Sequence, residues 1–325
     1  MTAPLVEAME LSRHYRLPGG GGRVLRALDG VDVTLAEGET LGLVGESGSG
    51  KSTLGRTLVG LQEPTLGVVR FAGADTRGAR GETLRALRRR RQFVFQDPSG
   101  ALNPRMTLSA TLTEHLRVQG FSRSETRARV PEVLTQAGLS PDFARRYPHE
   151  ISGGQRQRAV IARAISTDPD FLVADEPVSA LDVSTRAQII NLLRGLQRTR
   201  GLSMLFISHD LGVVAHTCRR VAVMYLGRIV EAAPRDALFA RPLHPYTRAL
   251  LSAVPIPDPA RERARRRVVL AGETPDPSAL PTGCRFNPRC PRATAICTER
   301  DPALVEHAPG HSAACHHAGS VSPEA

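Results

Sequence analysis

The sequence lacks any apolar run approaching the roughly 20 residues that cross a bilayer as a helix, so no membrane-spanning helix is expected. Its start, Met1-Thr2-Ala3-Pro4-Leu5-Val6-Glu7, carries no basic segment followed by an apolar one. No secretory leader is read there, and a cytosolic chain is expected. Lysine is almost missing: of 43 basic residues only Lys51 is a lysine. A chain so partial to arginine that keeps one lysine points to a site needing a compact ammonium rather than a planar guanidinium. Acidic residues number 32, leaving a net charge of +11. That excess suits an anionic partner, such as a nucleotide, nucleic acid or lipid surface, but also a basic solvated surface; charge alone does not choose. What is present is ordinary: 41% apolar and 23% charged residues over 325 positions exclude a mainly disordered chain and leave room for two or three domains.

Around Lys51 the pattern is dense. Thr40-Leu41-Gly42-Leu43-Val44 reads as a short buried strand, and Leu54, Leu58 and Leu61 recur at helical spacing up to Pro64. Between them lie Gly45, Glu46, Ser47, Gly48, Ser49, Gly50, Lys51, Ser52 and Thr53, in the form G-x-x-x-x-G-K-[ST]. Glycines let backbone N–H groups wrap phosphate oxygens, and the helix start adds a favourable dipole. Lys51 can reach the β- and γ-phosphates, and Ser52 can offer a hydroxyl to Mg²⁺. A dinucleotide G-x-G-x-x-G from Gly48 fails, because Thr53 stands at the third glycine.

Phe171-Leu172-Val173-Ala174 is a continuous apolar run ending in Asp175-Glu176-Pro177, as in a parallel strand buried on both faces. Its acids then fall at the sheet edge where open α/β folds bind ligands. Asp175 can hold Mg²⁺, and Glu176 can polarise an attacking water as general base. Met204-Leu205-Phe206-Ile207-Ser208-His209-Asp210 is a third such run with His209 at its polar end.

These residues carry a family resemblance. Ser152-Gly153-Gly154-Gln155, with the loop at 45–53, resembles the signature of the ATP-binding-cassette (ABC) ATPases, with Ile151 in place of the commoner leucine. The resemblance implies an α/β P-loop NTPase core with an inserted helical subdomain. It makes Gln96 the glutamine that touches Mg²⁺ and the attacking water, Ser179-Ala180-Leu181-Asp182 the D-loop, and His209 the γ-phosphate sensor. Tyr15 stands where the family stacks an aromatic on adenine; an ordinary half-buried strand tyrosine is the competing reading. The signature turn, Ser152 to Gln155 with Asp182, would meet ATP held by a second cassette. Its own logic is sound: Ser152 is a good N-cap, and Gln155 to Ile165 reads as a helix with Val160, Ile161, Ala164 and Ile165 on one side.

Leu102-Asn103-Pro104-Arg105-Met106-Thr107, Leu243-His244-Pro245-Tyr246-Thr247-Arg248 and Gly283-Cys284-Arg285-Phe286 narrow the resemblance to the oligopeptide/dipeptide importer ATPases, in particular the F-type subunit. Implied partners are a second ATPase subunit, either a second copy of this chain or, as the F-type resemblance favours, a paralogue; two integral membrane permeases; and, indirectly, an extracytoplasmic solute-binding protein. The chain would sit peripherally on the cytoplasmic face of the inner membrane, with no nucleic acid expected. Nickel and other solute importers share these segments. A soluble ABC ATPase working on nucleic acid is the rival class; one cassette and no long coiled-coil insertion speak against it. A binding module built on the cysteines, without catalysis, is a second rival.

The cassette is expected over residues 1–240, with residues 97–150 a helical subdomain broken at Gly120, Pro131 and Gly138. Arg88 to Arg91 read as a solvated helix face. Residues 241–325 form an extension entered through a linker with Pro242, Pro245, Pro255, Pro257, Pro259 and five arginines between Arg261 and Arg267. Four of five cysteines, Cys284, Cys290, Cys297 and Cys315, fall in the extension. A cytosolic chain disfavours disulfides, leaving metal ligation or free thiols. A [4Fe–4S] cluster is the expectation there, because four-cysteine extensions in the resembled subfamily are taken as iron–sulfur sites; a Zn²⁺ site aided by His307, His311, His316 and His317 is the alternative. Cys218 reads as a small core residue.

Overall fold

The computed structural model of the chain describes residues 3–17, 19, 22–255, 258, 262–263, 270 and 272–319. Pro257, Pro259, Arg261 and Arg265 to Arg267 of the expected linker lie outside these residues, as do Gly20 and Gly21. The described strands are β1 Val6–Arg16, β2 Val24–Leu35, β3 Thr40–Val44, β4 Leu66–Phe71, β5 Ala74–Asp75, β6 Arg91–Val94, β7 Phe171–Asp175, β8 Ser203–Ile207, β9 Arg220–Tyr225, β10 Arg228–Pro234, β11 Val305–Ala308 and β12 His311–Ala313.

They make two sheets, an antiparallel one in the order β2-β1-β4-β5 and a larger one in the order β11-β12-β10-β9-β3-β8-β7-β6. From β6 to β9 the larger sheet is parallel. Every residue of β3, β7 and β8 is buried, as continuous apolar runs demand of strands covered on both faces. One hydrophobic cluster (Leu41, Leu43, Leu54, Phe71, Ile207) fills the space toward the antiparallel sheet. The other (Val160, Ile161, Ile165, Leu172, Phe206, Val223) carries helices on the opposite face. Each such side chain, fully buried, is worth about 1.5–3 kcal/mol. Beyond β9 the sheet turns antiparallel, and β11 and β12, from the end of the chain, form its edge.

Three expectations are corrected. The helix after the phosphate loop runs Lys51–Leu58 only; Gly60, with φ of +75°, ends it, and Leu61 lies outside, 50% exposed. Pro131 does not break the helical region. It sits inside the helix Arg123–Gln136, at an exposed position of that helix. That helix is held by the Ser122/Glu125 capping box and by buried Val130, Val133 and Leu134. Gly120 and Gly138, both at positive φ, do follow helix ends. The basic run is not all solvated either. Arg88, Arg89 and Arg90 are exposed on the helix Gly81–Arg90, but Arg91 opens β6 and is buried, donating to the carbonyls of Leu58 and Leu87 at 3.2 and 3.3 Å. Burial and the nearby Arg88 charge hold its pKa down at about 10.

Candidate active site

The central strand β3 delivers the loop Gly45 to Gly50, and the helix Lys51–Leu58 leaves from it. Gly50 caps that helix at φ +106°, and a Cβ there would lie 2.3 Å from the Ala27 carbonyl oxygen. Only glycine satisfies both the conformation and the approach of β2. Lys51 Nζ is 2.7 Å from the carbonyl oxygens of both Gly45 and Glu46, and 3.4 Å from Ser49 Oγ. The lysine is 5% exposed. Burial lowers its pKa, opposed by the charges of Glu176, Asp175 and Glu46.

The neighbouring strands bring the expected acids alongside. Ser52 Oγ donates to Asp175 Oδ1 at 3.0 Å, joining the loop helix to the end of β7. Burial raises the Asp175 pKa, as does the Glu176 charge, against the Ser52 hydrogen bond and the charges of Arg56 and Lys51. Glu176, the next residue, takes φ +45°, a strained value for a non-glycine of the kind that clusters at functional sites. Gln96 Nε2 donates to Glu176 Oε2 at 3.0 Å, and His209 Nδ1 lies 3.1 Å from Glu176 Oε1. Residues from three strand ends thus converge on one carboxylate.

Tyr15 is half-buried near the end of β1, with the Arg13 guanidinium 4.7 Å from its ring centroid. Its hydroxyl donates to Gln62 Oε1 at 3.0 Å, and Gln62 Nε2 donates to the Thr53 carbonyl at 2.8 Å, so the ring is tied to the loop helix. The signature turn starts the helix Gly153–Ile165 through a capping box between Ser152 and Gln155. A Cβ on Gly154 would come 2.4 Å from Thr185 Cγ2, in the helix that Asp182 caps. Hydrogen bonds from Ser184 and Thr185 hold the Asp182 carboxyl well below the usual range. Among the described residues, no hydrogen bond or ion pair joins Ser152–Gln155 to the phosphate loop of the same chain.

Donors and acids of these types fit ATP and Mg²⁺. The hydroxyl of Ser52, the carboxylate of Asp175 and the amide of Gln96 form an oxygen-rich set beside a glycine loop and an ammonium. The iron–sulfur expectation fares differently. The four thiols of Cys284, Cys290, Cys297 and Cys315 are free; burial pushes up the pKa of Cys284, to about 11, and those of Cys290 and Cys315, with neighbouring thiols adding to it. Yet among the described residues no group of three or more His, Cys, Asp or Glu is disposed to hold a metal ion. Cys297 Sγ faces Thr294 and His317 at 3.7 and 3.6 Å, and Cys315 Sγ accepts from the His317 amide. The zinc alternative meets the same arrangement: His311 is taken by Glu231 and His316 by the Arg300 carbonyl. Neither group fits this arrangement. Cys218 is a buried core residue, as expected.

Sequence reasoning missed the residues that reach the loop from the extension. Glu46 is gripped by Arg289 and Thr274, and its amide donates to the Tyr246 hydroxyl at 2.8 Å. Tyr246 belongs to the Leu243–Arg248 segment singled out above, but nothing local named its partner.

A glycine loop on a central parallel strand, with acids and a histidine on the adjacent strand ends, defines a P-loop ATPase. The family model described as ABC transporter matches residues 28–179, and that for the oligopeptide/dipeptide transporter C-terminal region matches residues 230–297. The oligopeptide transport ATP-binding protein AppF of Bacillus subtilis is 51% identical over 90% of this chain and 89% of its own. A Brucella ovis protein bearing the name of a peptide import ATP-binding protein is 51% identical over 96% of this chain and 97% of its own. The solved ATP-binding cassette MJ0796, a dimer in a post-hydrolysis state with ADP and Pi, superposes with a TM-score of 0.64 at 31% identity, over 71% of this chain and 98% of that one. The cassette cbiO1 of Clostridium perfringens gives 0.64 at 27% identity, over 74% and 92%. The chain belongs to the ABC transporter ATP-binding family, and it is accordingly an ATP hydrolase.

Proposed function

We propose that this chain is the ATP-hydrolysing subunit of an importer for oligopeptides or dipeptides. It would work from the cytoplasmic face of the membrane, with two permease subunits and a second cassette. Support comes from the names of its relatives and from the match of its C-terminal region. Among the described residues no helix is long and apolar enough to cross a membrane, consistent with a subunit that borrows its membrane path. On this reading residues 1–240 are the cassette, with residues 97–150 its permease-facing helical part, and residues 241–325 the extension.

The chemistry is in-line attack of water on the γ-phosphate, driven mainly by positioning and charge neutralisation. Lys51 and the amides from Gly45 to Thr53 neutralise phosphate charge. Ser52, Asp175 and Gln96 would hold Mg²⁺, which when bound spreads the charge of the β- and γ-phosphates. Glu176 orients and deprotonates the water, while Gln96 and His209, already on its carboxylate, couple that base to the γ-phosphate. Tyr15 offers a ring for adenine. Ser152 to Gln155 and Asp182 face the nucleotide of the partner cassette, so a pair of cassettes encloses two ATP molecules head to tail.

The observation that carries this reading is the Glu176 carboxylate shared by Gln96 and His209 at 3.0 and 3.1 Å, at the mouth of the phosphate loop. Changing Glu176 to Gln should lower steady ATP turnover by about 1000-fold while leaving MgATP binding within a few-fold. Undiminished turnover in clean protein would remove Glu176 from the role of base.

A further inference from the structure

The extension reaches into the phosphate loop. Arg289 lies 243 residues beyond Glu46, yet its guanidinium fork donates to both carboxylate oxygens, Nη1 to Oε2 at 2.8 Å and Nη2 to Oε1 at 3.1 Å. Thr274 Oγ1 adds a bond to Oε2 at 2.8 Å. Arg289 is 9% exposed and is itself held from below, with Nη1 3.5 Å from the Tyr225 hydroxyl. Its short 3₁₀ turn, Asn287–Arg289, follows Phe286, whose ring packs on Tyr225 and Tyr246 at centroid distances of 5.3 and 5.5 Å. Arg285 anchors the same turn to Asp29 and to the Leu226 carbonyl. So a rigid, buried arginine is aimed at a loop side chain.

The loop has an electrostatic problem that this contact answers. Glu46 is a carboxylate inside a segment built to cradle a polyanion, next to the carbonyl that holds Lys51 Nζ. Unpaired, it would leave a bare negative charge close enough to act on Lys51, beside the place where a polyanion is to sit. A bidentate guanidinium both cancels that charge and fixes its direction.

We infer that Arg289 is a positioning residue of the phosphate site: the C-terminal extension, through this fork, neutralises and restrains Glu46 so that the loop can accept a triphosphate. The inference rests on the ATP reading above. Burial pushes the Glu46 carboxyl up, but the Arg289 and Thr274 hydrogen bonds outweigh it and keep the group ionised, so the pairing holds at neutral pH.

The test is equilibrium titration of the purified full-length chain with MgATP. Arg289→Ala should weaken binding about tenfold, because it exposes the Glu46 charge. Adding Glu46→Gln to that variant should recover binding to within about threefold of wild type, since the repelling charge is gone. Arg289→Lys, which keeps charge but loses the fork, should fall between and guards against a variant that fails to fold. Two results overturn the inference: unchanged affinity in Arg289→Ala, or a double variant as weak as the single one, which would make Arg289 mere scaffolding. Wild-type protein that binds no MgATP would instead sink the ATP reading itself.

Discussion

The centre and one edge of the large sheet are built by opposite means. At the centre, β3, β7 and β8 present a phosphate loop, two acids and a histidine in short contiguous stretches, positioned by main-chain geometry. At the edge, the extension is fastened by single side chains far apart in sequence. Buried Glu231 on β10 accepts from the amides of Leu243 and His244 at 2.8 and 2.9 Å and lies 2.7 Å from His311 Nε2 on β12. One region writes its function into consecutive residues; the other writes its attachment into long-range polar pairs.

That contrast can be broken most severely at Glu231. Its removal, as Glu231→Ala, strands two buried amides and an imidazole, and should cost about 3–5 kcal/mol, read as a large drop in the chemical denaturation midpoint. A loss under about 1 kcal/mol would mean that the extension is held by its apolar contacts instead. At the centre, Gly50→Ala should weaken MgATP binding about 100-fold, because the added methyl meets the Ala27 carbonyl and the φ of +106° disfavours any side chain. Binding near wild type would show that the loop is softer than its geometry implies.

The smallest expected effect sharpens the comparison by pH. His244 is fully buried, caps the helix Pro245–Ser252 through Nδ1, which accepts from the Tyr246 amide at 3.1 Å, and has its pKa pushed down by burial to about 3. The folded chain therefore resists a proton that the unfolded chain takes up below about 6.5. Stability from this group is complete above that pH and falls by about 1.4 kcal/mol per pH unit as acid is added toward 3. Burial holds His115, in the helix Leu108–Val118, at about 4 and adds a slope of the same sign. Changing His244 to Asn keeps a cap but cannot titrate, so stability measured from pH 6.5 to 5 should fall less steeply than in wild type. An unaltered slope would assign the acid sensitivity to other groups.

Legibility followed this same division. The phosphate loop, the buried strands and the capped signature helix could be read because each is specified by neighbours within a few residues, where period and turn chemistry are visible. Leu61 misled because an αL glycine, Gly60, outranked the apolar spacing. Pro131 misled because a proline on a solvent-facing turn costs one hydrogen bond that Val130, Val133 and Leu134 more than offset by burial. Arg91 was hidden in a run of arginines that the helix-to-strand transition splits between water and core. The grip of Arg289 on Glu46 had no local trace at all, since its specificity arises only when the ends of the fold meet. The cysteines stood between these cases: their crowding was legible, their geometry was not.

One further consequence lies in the near-absence of lysine. The single side-chain primary amine of the sequence is Nζ of Lys51, at the heart of the phosphate loop. The remaining 42 of the 43 basic side chains are guanidinium groups that ordinary amine reagents ignore. Because that nitrogen is buried and held by the Gly45 and Glu46 carbonyls, an amine reagent reaches it only when the loop opens, and acylation there reports on the loop's opening.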